Sequence, residues 1–198
     1  MAARALKRKV VPLRDKRQAV LDAALELFNE RTYGGTPMPM IAERAGVGAG
    51  TIYRYFPSKE SLVNAVYREC KLSLQQYLIA AVGDASAPRD QFRGLWRGLW
   101  QFSQERPMAL RFLETHHHRS YLDRASRQVS DAAFTAITEV IRRAQAAGAI
   151  RCGKPEVLIA LAFGAFVGLL KEADEGRFKA DTPLLNQAEQ AIWDMLAR

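Results

Sequence analysis

The residues best equipped for chemistry lie between Ala49 and Phe56. If this stretch is helical, Ala49, Gly50, Thr51, Arg54 and Tyr55 share one side, while Ile52 and Phe56 take the other. A short helix that hides two apolar side chains and displays small, hydroxyl and cationic groups suits the wall of a DNA major groove. So short a helix is unstable alone and needs a partner. One stands just upstream. Ile41, Ala42 and Ala45 give a second short helix a buried stripe, and Gly46 is placed to leave it in a left-handed conformation. Val47 then plugs the corner, and Gly48-Ala49-Gly50 opens the displayed helix.

Other chemistries have less support. His116-His117-His118 suggests a metal, but consecutive helical side chains point roughly 100° apart and cannot converge on one ion. Cys70 and Cys152 form neither a disulfide framework nor a Cys-x-x-Cys element, so reduced thiols, no metal and a cytoplasmic setting are expected. There is no Gly-x-Ser-x-Gly, no phosphate-cradling glycine loop and no metal-spaced carboxylate set, so neither an enzyme nor a cofactor is expected. The charge is unevenly spread. The whole chain carries a formal +8, and residues 1–60 hold 11 Lys or Arg against 6 Asp or Glu, as a polyanionic partner requires. The longest apolar run, Val157 to Leu170, falls short of the ~20 residues of a membrane span and reads as a buried helix.

The elements that position these groups are helices throughout. A basic arm (1–12) could touch DNA phosphates or serve only as a solubilising tail. A first helix follows from about Leu13 to Glu30, with Val20, Ala24, Leu27 and Phe28 in period. Thr36 stands as N-cap before Pro37 and Pro39, and Ser58 as N-cap of a long fourth helix to about Val82. Five more helices follow, starting near Arg89, Pro107, Leu122, Lys154 and Thr182. About nine helices and no strand signal make the fold all-α. The domains expected are the arm, a three-helix helix-turn-helix at 13–60, and a C-terminal helical bundle at 61–198. The helix carrying Val157–Leu170 is apolar all round and calls for a second subunit. Ala160, Gly164 and Gly168 recur every four residues along it as a smooth stripe for close approach.

The N-terminal third resembles the TetR family of bacterial transcriptional regulators. The resemblance covers about residues 14–65. It rests on Ala23-Ala24-Leu25-Glu26-Leu27-Phe28, Tyr33, Thr36, Ile41-Ala42, Ala45-Gly46-Val47, Gly50-Thr51-Ile52-Tyr53-Arg54-Tyr55-Phe56 and Ser58-Lys59-Glu60-Ser61-Leu62. Two departures lie outside the displayed helix: Arg31 replaces a usual Gly, and Met38-Pro39-Met40 replaces a more polar segment.

The resemblance implies a homodimeric repressor on a palindromic double-stranded operator, with a C-terminal ligand pocket and a dimer interface from the last two long helices. Ala49, Gly50 and Thr51 would then enter the groove, and Arg54 is the candidate for reading guanine or gripping a phosphate. Tyr53, Tyr55, Lys59 and Thr36 would meet phosphates, although Tyr53 could equally serve packing. The interface would draw on Ala160, Gly164, Val167, Gly168, Leu185, Ala188 and Ile192. An effector, small and largely apolar, would meet Trp96, Trp100, Phe112, His116, Tyr121, Phe134 and Phe163, unless these aromatics are ordinary core. The competing reading is a small-molecule-binding helical protein whose DNA head is weak or vestigial.

Overall fold

The computed structural model describes residues 13–115 and 120–197; the arm at 1–12 and the expectation for His116 lie outside the described residues. Among the described residues there are nine helices: α1 (Leu13–Arg31), α2 (Met38–Arg44), α3 (Ala49–Tyr55), α4 (Lys59–Val82), α5 (Pro88–Glu105), α6 (Pro107–Thr115), α7 (Arg124–Ala146), α8 (Pro155–Asp174) and α9 (Thr182–Leu196). This is the all-α architecture expected from the periodicity, and the extended pairing described is one isolated bridge, Ile150 with Ala197. None of these helices is long and apolar enough to cross a membrane. Two starts differ in instructive ways. Helix α7 begins at Arg124 and not near Leu122, because the Asp123 carboxylate accepts from the Ser126 amide at 2.7 Å and caps it. At α2 the cap position belongs to Pro37, not Thr36, and no side chain caps it.

Packing divides the chain into two compact units. One takes in the residues up to Cys70 together with Met108–Ser126, and the other Lys71–Pro107 with Arg127–Arg198. The sequence suggests one boundary after residue 60. The residues of that expected head fall in the first unit, to which α6 also belongs, and α4 supplies residues to both units.

In the first unit, Val20, Ala24, Leu27 and Phe28 form the fully buried stripe of α1. Phe28 stacks on Phe112 of α6, ring centroids 6.1 Å apart, and burying each contributes roughly 1.5–3 kcal/mol. Helix α2 leaves through a Schellman turn. Gly46, at φ 65°, donates its amide to the Glu43 carbonyl (3.0 Å), and Val47 donates to Ala42 (2.9 Å). Val47 is thereby drawn into the corner, where it is buried beside α3. Helix α4 opens with a reciprocal serine cap. Ser61 donates its amide to Ser58 Oγ at 3.1 Å, and the Ser58 amide donates to Ser61 Oγ at 3.2 Å.

The second unit is built on close helix approach. A Cβ at Gly94 would stand 2.8 Å from the Ala81 carbonyl, and one at Gly98 2.8 Å from that of Tyr77, so these two glycines let α5 settle against the second half of α4. Helix α5 also packs on α9. Trp96 donates its indole N–H to the Leu185 carbonyl (3.2 Å) and meets Phe166 edge-on. Arg89 holds the buried Glu189 carboxylate and lies over the Trp193 ring. Burying a carboxylate is costly unless a partner faces it, and the guanidinium supplies that partner.

Candidate nucleic-acid interface

Helix α3 is anchored from behind. Ile52 is fully buried and Phe56 nearly so, packed by α1 and α2. The same period turns Ala49, Gly50 and Arg54 outward, with Thr51 and Tyr55 partly exposed beside them. A Cβ built at Gly50 meets nothing within 4 Å, so the backbone there is open to a broad partner. Arg54 lies over the Tyr55 ring at 5.4 Å, which narrows the directions its guanidinium can take. Tyr53 is 48% exposed, too open for a purely internal packing role.

Lys59, at the start of α4, is the best-held cation of the group. Its Nζ sits 4.3 Å from the centroid of the Tyr33 ring. The Tyr33 hydroxyl in turn donates to Glu60 Oε1 at 3.0 Å, and its ring stacks on Tyr121 with centroids 4.7 Å apart. Burial, with the Glu60 contact behind it, pushes the Tyr33 phenol up to about 12. Burial also takes Tyr121 to about 12. The Glu60 carboxyl is held below its usual range by its own helix-terminal amide, then by the Tyr33 and Ser58 hydroxyls. At neutral pH this corner therefore holds a neutral phenol and a carboxylate bound to it, beside Lys59.

Thr36 departs from its expected role. It is fully buried, and its hydroxyl donates back into the α1 end, to the Thr32 carbonyl at 2.8 Å with that of Leu27 3.2 Å away. It latches α1 to the start of α2 and offers no surface to a phosphate.

Two further head residues, not singled out by the sequence reading, hold the site in place. Arg44 forks onto Glu26 (3.1 Å) and Glu30 (3.0 Å), holding α2 to α1. Asn64, buried in α4, donates to the carbonyls of Glu60 and Tyr121 (both 2.8 Å) and accepts from the Asp123 amide (2.9 Å). The hint at Asn64 is its polarity within the apolar run Leu62-Val63-Asn64-Ala65-Val66.

The residues expected around an effector are drawn from both units. Trp96 and Trp100 lie in the second unit with Phe163 and Phe134, the last 44% exposed, whereas Phe112 and Tyr121 belong to the first. Phe112 is core, stacked on Phe28. In the second unit Trp100, Phe166, Leu169, Leu170, Leu184 and Leu185, with Ala180 and Asp181, line an apolar cleft of about 20 Å³, room for a single water. Of the residues expected at a dimer interface, Ala160, Gly164 and Gly168 are exposed and Val167 and Ala188 half-buried. Leu185 is buried and Ile192 packs against the core of its own unit.

A paired helix-turn-helix whose second helix displays small and cationic groups defines a DNA-binding head. Comparison with known proteins agrees. Residues 20–66 match the family described as bacterial regulatory proteins, tetR family, and residues 60–197 match the tetracyclin repressor-like C-terminal domain. The chain belongs to the TetR family of DNA-binding transcriptional regulators, which are not enzymes. The chain is 47% identical over 57 residues to the HTH-type transcriptional repressor KstR of Mycolicibacterium smegmatis, 28% of each chain. It is 35% identical over 96 residues to the HTH-type transcriptional regulator RutR of Escherichia coli, 48% of this chain and 45% of that one. These matches span less than half the length of either relative. A TetR family transcription regulator from Marinobacter aquaeolei, 21% identical, shares the fold with a TM-score of 0.85 over 93% of this chain and 96% of that one.

Proposed function

We propose that two copies of this chain bind a roughly palindromic operator as a repressor, and that a small, largely apolar effector releases them. The observation that carries the reading is the outward face of α3. Ala49, Gly50, Thr51 and Arg54 stand clear of the fold while Ile52 and Phe56 anchor the helix behind them. In this reading Thr51 and Arg54 enter the major groove, and Tyr53, Tyr55 and Lys59 meet phosphates at its edges. Few of these side chains are long enough to read bases. Most of the affinity is therefore electrostatic and falls steeply with salt.

Dimerisation is supported by α8. Leu158 and Phe166 bury one side, yet Val157 and Leu161 are about half exposed along the other, beside Ala160, Gly164 and Gly168. Pairing two heads about one DNA turn apart, ~34–36 Å, converts two weak readers into one selective one. The sign of regulation follows the KstR relative, a repressor.

An effector of ordinary size needs roughly 300 Å³ or more. The cleft beside Trp100 is far smaller, so binding there requires its lining side chains to move apart. An effector works only through unequal affinity for two conformations, and α4, continuous between the units, is the element that both states share. The test is footprinting on DNA flanking the protein's own coding region. A protected palindrome, lost on Arg54→Ala with Tyr55→Ala, is the expected result; no protection would overturn the proposal.

A further inference from the structure

We infer that Tyr33, seated on Tyr121, is the positioning residue for the phosphate contact of Lys59, holding the ammonium with its ring and drawing the adjacent Glu60 carboxylate aside with its hydroxyl. The inference rests on the reading of Lys59 as a phosphate contact and says what makes that contact effective.

Lys59 and Glu60 are neighbours at the start of α4, with opposite charges. A phosphate arriving there meets one attraction and one repulsion, and the balance depends on where the two side chains lie. A lysine on its flexible stem has no preferred place, and a free carboxylate would close on the ammonium or face the phosphate. Tyr33 separates them. Its ring holds the Lys59 Nζ at 4.3 Å, and its hydroxyl donates to Glu60 Oε1 at 3.0 Å. A phenol that stays protonated keeps this donor in place across the physiological range.

The ring is itself fixed. It stacks on Tyr121 at 4.7 Å with planes 25° apart, and tilts against Phe28 at 5.9 Å. Tyr121 is fixed in turn, since its carbonyl accepts from the buried Asn64 at 2.8 Å. A chain of contacts thus runs from the segment before α7 to the charge at the head.

The experiment is a double-substitution cycle read by operator affinity against salt concentration, with helical content and melting checked for each variant. Lys59→Met should lower the salt slope by about 0.9 per protomer, about 1.8 for the paired copies, the value of one phosphate contact in each half-site. Tyr33→Leu should do the same, and the pair together should lose no more than either alone. Tyr33→Phe keeps the ring and frees Glu60; it should weaken binding, and adding Glu60→Gln should restore it. This second pair decides the matter if Tyr33→Leu does not fold. Independent, multiplying losses from Tyr33→Leu and Lys59→Met, or no rescue by Glu60→Gln, would overturn the positioning role. An unchanged slope in Lys59→Met would overturn the phosphate reading beneath it, and is distinguishable because Tyr33 then has nothing to position.

Discussion

Asn64 accepts a hydrogen bond from the Asp123 amide at 2.9 Å while donating to the Tyr121 carbonyl next along that segment, so one buried amide on α4 holds the approach to α7. Arg68, one turn further on, adds contacts to Asp123 Oδ2 and Ser126 Oγ, both at 2.9 Å. The Asn64 side chain is 2% exposed, so no water replaces what it loses. Asn64→Leu keeps the volume and strands these backbone groups. The expected cost is roughly 2–4 kcal/mol of stability, measured by denaturant titration. A loss below about 0.5 kcal/mol would mean that the segment re-pairs elsewhere.

Thr36 gives the complementary case, a residue whose fold role displaces a binding role. Thr36→Val keeps the shape and deletes the hydroxyl that reaches the Thr32 and Leu27 carbonyls. Stability should drop by about 1–3 kcal/mol. Operator affinity at a temperature where the variant is folded should stay within about twofold of the parent. A loss of about tenfold or more at every salt concentration would restore Thr36 to the phosphate contacts.

What was legible in the sequence is what depends on neighbours in the chain. Gly46 and Val47 form the turn their types demand, and Ser58 caps α4, because turns and caps are settled within a few residues. The two faces of α3 follow from helical period once Ile52 and Phe56 are recognised as its apolar side. The stack of Tyr33 on Tyr121 joins residues far apart in the chain, and no local pattern announces it. The glycines make the same point. Gly94 and Gly98 share the four-residue spacing of Gly164 and Gly168, yet the first pair is pressed against α4 and the second meets nothing within 4 Å. Spacing says only that close approach is permitted; the tertiary fold decides whether it is used. The aromatics differ in the same way, since Phe112 carries the same aromatic signal as Trp100 but stacks on Phe28 in the core.

The first unit should weaken in acid. Three of its carboxyls sit below their usual range. Arg44 lowers Glu30 through its side-chain bond, and Glu60 is lowered by its own amide and then the Tyr33 hydroxyl. Burial alone would raise Asp123, but the Ser126 amide and hydroxyl and then Arg68 hold it down. A depressed carboxyl adds stability that is fully present above its unfolded value, near 4, and is lost as pH falls through the folded value. The melting temperature should therefore fall steadily below about pH 4. Asp123→Asn should start lower at neutral pH and show a shallower acid decline. A variant as acid-sensitive as the parent would remove Asp123 from this account.

The proposed pairing of two heads can be tested at the outer face of α8. Val157 is 51% exposed and Leu161 50%, one turn apart, and the bare backbone at Gly164 continues the strip. Two such faces laid together would bury these side chains, because among the described residues nothing lies within 4 Å of a Cβ placed at Gly164 or Gly168. Leu161→Glu with Val157→Glu places like charges across that contact while leaving Leu158 and Phe166 in the core. Sedimentation should then report a monomer with helical content unchanged. Binding to one half-site should persist at its intrinsic, weak level, while the advantage of a full palindrome should vanish, since linking two modules can contribute about 10²–10⁴ in affinity. A variant that stays dimeric would locate the pairing surface elsewhere, and one that unfolds would show that Val157 and Leu161 belong to the protomer's own core.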